Sequence, residues 1–126
     1  PWFNKNDPIL WWSPDPRLVL WTDQIKLSKS LKKTIRTTLM TVTFDLAFTQ
    51  VITACSLPRQ AGIDSGNSTW IHPDMIEAYN ELHQQGHAHS VECWLDGQLV
   101  GGLYGIAIGQ AFLVNQCLAR LQTAQN

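Results

Sequence analysis

"HAHSVECWLDGQLVGGLYGIAIGQAF", residues 87–112, decides the fold class. Two apolar, strand-compatible runs flank Asp96-Gly97, a dipeptide that enters positive φ readily and suits the type I′ turn matching strand twist. The spacing predicts a β-hairpin. Gly101, Gly102, Gly105 and Gly109 in the second arm forgo side-chain packing, so a bulge, a second backbone or a ligand is expected close by. They match neither GxGxxG before a helix nor GxxxxGK[ST]. Close approach by a substrate stands beside plain sheet curvature as their explanation.

Upstream of the hairpin, Met75, Ile76, Tyr79 and Leu82 recur at helical spacing after a start at His72 or Pro73. Proline suits the first turn, Asp74 suits the positive end of the dipole, and Gly86 supplies a left-handed stop. Leu39 to Thr43 is rich in β-branched residues and reads as a strand. Asp45 then reads as an N-cap before a helix carrying Ala47, Phe48, Val51, Ile52 and Cys55. "SLPRQAGIDSGNSTW" between the two helices is a polar loop. The expected order is β-α-loop-α-β-β, an α+β class with a mainly antiparallel sheet.

The N-terminal stretch "PWFNKNDPILWWSPDPRLVLW" holds four of the six tryptophans and four of the six prolines, which predicts an extended, turn-rich strap laid over a surface. Ile25, Leu27, Leu31 and Ile35 follow as a helical or mixed apolar edge. Lys26, Lys29, Lys32, Lys33 and Arg36 make the one basic patch. At the other end, the apolar strand is expected to run to Phe112 and to give way, from Val114, to a polar, helix-compatible tail.

With 126 residues, 44% of them hydrophobic, the chain is the size of one ordinary domain. A formal net charge of −1 supplies no global field toward nucleic acid or membrane, so any such partner must be met by a local patch. Three cysteines without a CxxC spacing, and no secretory leader, favour reduced thiols and a cytoplasmic setting. No apolar run is long enough for a membrane span.

Among chemical candidates, His87 and His89 alternate on one strand face and could begin a metal site, but no third ligand follows, so no metal is expected. Glu92 falls on the opposite face. Ser90 as a nucleophile lacks a glycine elbow. The basic stretch is by itself most simply a solvated face, yet tryptophans near a cationic edge are what a protein uses to stack unpaired bases beside a phosphate backbone.

"PWF…DPILWWSPDPR", "TWI", "LHQQGHAHSVE" and "LVGGLYGIAIGQAF" together resemble the leucyl/phenylalanyl-tRNA protein transferase family, from Pro1 to Phe112. That resemblance implies transfer of leucine or phenylalanine from charged tRNA to proteins beginning with arginine or lysine, marking them for N-end-rule degradation. It implies a GNAT-like acyltransferase domain over 21–112, in its first half, preceded by the end of an N-terminal domain over 1–20. It further implies no cofactor and a monomeric intact protein. Trp2 and Trp70 match tryptophans that hold the terminal adenosine of the tRNA. Leu103 and Phe112 match positions in the apolar pocket for the transferred side chain. The catalytic groups lie mainly after the matched region.

After "GQAF" the family pattern continues glycine, glutamate, serine, methionine, phenylalanine, serine, where this chain has Leu113, Val114, Asn115, Gln116, Cys117, Leu118 and Ala119. A back-translation of those seven residues read one nucleotide out of frame encodes the missing motif in order. Residues 113–126 are therefore expected to be an aberrant, frame-shifted tail, and the absence of Met at Pro1 is read as an upstream segment either removed or never recorded. The expected consequences are an inactive chain and a glycine-rich strand left unpaired at a sheet edge. The alternative is a non-enzymatic remnant that still grips a tRNA acceptor end.

Overall fold

The computed structural model describes residues 6–57 and 71–119, with side chains as far as residue 115. Four strands form one antiparallel sheet in the order β1-β2-β3-β4: β1 Thr41–Phe44, β2 Ala88–Leu95, β3 Gln98–Ile108 and β4 Ala111–Ala119. Three α-helices accompany them, α1 Lys29–Thr37, α2 Phe48–Ser56 and α3 Pro73–Gln84. The class is α+β.

The hairpin forms where the dipeptide signal places it. Asp96 and Gly97 adopt φ of 51° and 74°, and Leu95 pairs with Gln98 across the turn. Gly109, at φ 58°, opens a second turn that the sequence reading missed. The chain reverses there, so the segment from Ala111 is a strand, and the helix-compatible tail expected from Val114 is β4 as far as Ala119. Consequently β3 is paired on both sides rather than left open; β4 is the edge on that side and β1 the edge on the other.

The α2 and α3 helices cover one face of the sheet because their apolar stripes point there. Phe48, Val51, Ile52 and Cys55 of α2, with Met75 and Tyr79 of α3, are buried against Ala88 and Tyr104. The Tyr104 ring meets Tyr79 and Phe48 edge-on, at centroid distances of 5.4 and 6.1 Å. Gly102 is where α2 sits closest: a Cβ there would stand 2.8 Å from the Val91 carbonyl and 3.3 Å from a Val51 methyl. Another part of the chain, not a ligand, occupies that approach.

The α3 boundaries follow the sequence signals. Pro73 occupies the first turn, and the helix ends on Gly86 at φ 82°. There the Gly86 N–H reaches the His83 carbonyl and the His87 N–H reaches that of Leu82, the paired bonds of a Schellman stop. Asp45 departs from expectation. The N-cap of α2 is Ala47, with no side-chain cap, while Asp45 takes a left-handed φ of 56° and binds β2 instead.

Residues 6–20 carry neither helix nor strand, and their side chains are exposed, with Trp11 at 79%. The α1 helix, capped by the Ser28 hydroxyl accepting from the Leu31 N–H, has no buried residue, and Ile25, Leu27, Leu31 and Ile35 all stand exposed. Among the described residues, no helix is long and apolar enough to cross a membrane.

Candidate functional site

Alternation along the strands sorts the sheet residues between a covered face and a bare one. On β2, Ala88, Ser90 and Glu92 are buried toward the helices, and His89, Val91 and Cys93 turn the other way. Cross-strand partners share a face, so the pairs His89↔Gly105 and Val91↔Leu103 put Leu103 and Gly105 of β3 on the bare side. Phe112 joins them through its pairing with Ala107.

Gly105 then explains itself. A Cβ there would press on the Leu113 carbonyl of the neighbouring strand and lie 2.9 Å from the tip of the Phe112 ring. The aromatic ring therefore rests on a glycine, half-covered, with Leu103 half-buried on the same face. A register shift between Tyr104 and Gly105 leaves Asn115 of β4 without a cross-strand partner. Its side-chain amide turns to donate to the Tyr79 hydroxyl at 2.6 Å, tying β4 to α3. Burial raises the Tyr79 phenol above its usual range, with the Asn115 contact opposing it.

Below the covered face lies a polar cluster. Glu92 is fully buried, and its carboxylate accepts from the Thr43 hydroxyl at 2.6 Å, the Ser90 hydroxyl at 2.5 Å and the Ala47 N–H at 3.3 Å. Thr43 accepts in turn from the Trp94 indole at 2.8 Å. These bonds join β1, β2 and the entry to α2. Ser90, 1% exposed and committed to Glu92, has no access to a substrate as a nucleophile.

A second polar group stands at the rim of the bare face. Asp45 accepts from the Ser90 N–H at 2.9 Å and faces His89 Nδ1 at 2.8 Å. Burial alone would raise its carboxyl, but the bonds from His89 and the Ser90 amide, with the charges of His89 and His83, outweigh that and hold it below the usual carboxylate range. Sequence reasoning paired His89 with His87 and treated Asp45 as a cap. The Asp45–His89 contact spans 44 positions, and no local pattern announces it. His83 is instead stacked on Phe48 at 4.3 Å, with Nδ1 at 2.8 Å from the Ala88 carbonyl. Among the described residues no three His, Cys, Asp or Glu side chains are placed to hold a metal ion.

Of the expected site residues, the sheet brings Leu103 and Phe112 onto one face. Trp2 and Trp70 lie outside the described residues. The basic residues divide: Lys26 precedes α1, while Lys29, Lys32, Lys33 and Arg36 fall at intervals of three and four along it. That spacing makes one cationic stripe, with Leu31 and Ile35 on the other side of the helix. All five are exposed, and none forms an ion pair among the described residues.

Residues 19–125 match the family model described as leucyl/phenylalanyl-tRNA protein transferase. A protein of that name from Nitrosomonas eutropha is 52% identical over 124 residues, covering 98% of this chain and 51% of its own length. Another from Psychrobacter arcticus is 57% identical over 113 residues, covering 89% of this chain and 42% of its own. A third, from Aromatoleum aromaticum, is 51% identical over 124 residues. The chain spans about half the length of the curated relatives it matches.

Proposed function

The chain belongs to the leucyl/phenylalanyl-tRNA protein transferase family, and from that premise we propose that the bare sheet face receives the aminoacyl end of leucyl- or phenylalanyl-tRNA. One observation carries this reading. Leu103, Gly105 and Phe112 share that face, and the Phe112 ring lies against the glycine, giving an apolar shelf for an unbranched or γ-branched side chain. Such a surface discriminates by shape, separating near-isosteres by only about 1–3 kcal/mol.

In this reading Trp2 and Trp70 hold the terminal adenosine, and the cationic stripe of α1 with Lys26 follows the RNA backbone. The acceptor is a protein with N-terminal arginine or lysine, marked by the transfer for N-end-rule degradation. The reaction is aminolysis of an ester that arrives activated, so orientation and oxyanion stabilisation supply the catalysis, without metal or cofactor. The setting is cytoplasmic and the intact protein monomeric. The sheet is the first half of a GNAT-like domain over 21–112, after the end of an N-terminal domain over 1–20.

The proposed tail over 113–126 is a shifted frame. The pairing of β4 and the family match through residue 125 make no use of such a shift, so it rests on the residue pattern alone. Genomic sequence across Leu113 tests it, and an intact frame refutes it.

Filter binding of phenylalanyl-tRNA at graded salt tests the site. Affinity is expected to fall with a log-log slope set by the lysines engaged, and Trp70→Ala is expected to weaken it by stacking loss, about 1–3 kcal/mol. No binding at low salt would sink the reading. The second reading, a binder without chemistry, is favoured if binding persists while no leucine reaches an arginine-initiated peptide.

A further inference from the structure

We propose that Asp45 and His89 form an oriented acid–base pair that accepts the proton of the incoming α-amine. The inference rests on the reading that Leu103 and Phe112 hold the aminoacyl group. Its basis is a juxtaposition: His89 is the cross-strand partner of Gly105, the residue on which the Phe112 ring rests. An imidazole rooted there borders the proposed acyl shelf.

The hydrogen bonds fix what the imidazole can do. Asp45 is an ionised carboxylate, already accepting the Ser90 N–H through Oδ1 at 2.9 Å, so the contact of Oδ2 with His89 Nδ1 at 2.8 Å requires the proton on Nδ1. In neutral His89 the lone pair is then on Nε2. The side chain is 38% exposed, so substrate can reach it. Asp45 is a positioning residue that sets tautomer and ring orientation. His89 is the group that meets substrate.

Other titratable groups facing the pair are few. His87 lies on the same face but has no carboxylate partner of this kind among the described residues, Cys93 is four residues along β2, and His83 sits 3.9 Å behind Asp45. On that face β1, β3 and β4 place no titratable side chain among the described ones: Val42 and Phe44, Leu103 and Ala107, Phe112 and Val114. Glu92 is buried on the opposite face.

In the reaction, the acceptor α-amine attacks the ester carbonyl carbon, and the carbon–nitrogen bond forms as the bond to the ribose oxygen breaks. His89 Nε2 takes the proton shed by the amine nitrogen and returns it to the departing ribose oxygen. The sum is one amide, one free ribose hydroxyl and an unchanged imidazole.

The test uses this chain and needs no turnover. Phenylalanine joined by an amide to 3′-amino-3′-deoxyadenosine serves as a non-hydrolysable donor probe, and an arginine-initiated peptide amide as acceptor. In nitrogen-edited NMR the free chain is expected to show His89 protonated on Nδ1 and bare on Nε2. With the donor probe saturating, the peptide is expected to shift Nε2. His89→Gln is expected to weaken peptide binding about tenfold or more while donor affinity stays within about twofold. Asp45→Asn is expected to lose the tautomer bias, and His87→Gln to change neither affinity.

An Nε2-protonated His89, or peptide binding that ignores both the His89 resonance and His89→Gln, overturns the proposal alone. If His89→Gln does not fold, the native tautomer and the Asp45→Asn spectrum decide. Absence of any donor-induced shift at Leu103 and Phe112 overturns the underlying reading, and this proposal with it.

Discussion

On the covered face of the sheet, Glu92 and Tyr104 are 0% exposed beneath α2 and α3, whereas on the bare face Val42 stands 54% and Phe44 68% exposed. The same strands make both faces, with neighbouring residues alternating between them. What differs is the company each side meets. One face carries the buried apolar cluster; the other keeps a leucine, a glycine-seated ring and an Asp–His pair in reach of solvent. A site that must admit substrate cannot also be the core, and the period of two lets one short sheet be both.

The sharpest way to break that division is to cut a matched apolar residue from each side. Ile52→Ala, on the covered side, is expected to cost about 2–5 kcal/mol through lost burial and the cavity left, against about 0.5 kcal/mol or less for Phe44→Ala. Urea unfolding of both variants measures the gap, and equal losses would erase the distinction.

Glu92→Gln probes the polar side of the same core. Its carbonyl can still accept from Ser90 and the Ala47 N–H, but its amide must face Thr43, whose hydroxyl then loses its acceptor. A loss of about 1–3 kcal/mol is expected in the same assay, and no loss would mean that the buried carboxylate joins nothing.

Tyr104→Phe should move the other way. The Tyr104 hydroxyl is buried with no hydrogen-bond partner among the described residues, and burial, then the neighbouring Tyr79 and Cys55, drive its ionisation upward, so it stays neutral. Deleting an unpaired hydroxyl is expected to leave the melting temperature unchanged or raise it, by the equivalent of about 1 kcal/mol at most. A marked drop would reveal a partner.

The smallest effect belongs to the rim. The Asp45 carboxyl is held below the usual carboxylate range, so its stabilisation is complete above the unfolded-state value and is lost as pH falls through the lower folded one. The side chain is 39% exposed, so solvent screening keeps the contribution below about 1 kcal/mol. Acid unfolding of Asp45→Asn, compared below about pH 4, is expected to lack that component. An identical acid profile would detach Asp45 from the fold.

Much of this division was legible in the residues. Asp96-Gly97 set the hairpin, and alternation from Ala88 to Cys93 assigned the faces, including Glu92 opposite the histidines. The stripe of Met75, Ile76, Tyr79 and Leu82 predicted the helix that buries it. The missed features share a cause, since each depends on which strand the chain pairs with rather than on side-chain period. Gly109 looked like one more glycine within a strand until β4 folded back beside β3, and Asp45 looked like a helix cap because its partners are far along the chain.

Local chemistry thus determined which elements form and which side of each is apolar, because turn propensity and side-chain period are properties of neighbouring residues. Only the tertiary structure decided that Phe112 rests on Gly105, that Glu92 joins three elements, and that Asp45 orients His89. The Asp45 and Glu92 contacts reach 44 to 49 positions along the chain, and Phe112 meets Gly105 only because strand register folds β4 back on β3; side-chain period alone specifies none of them.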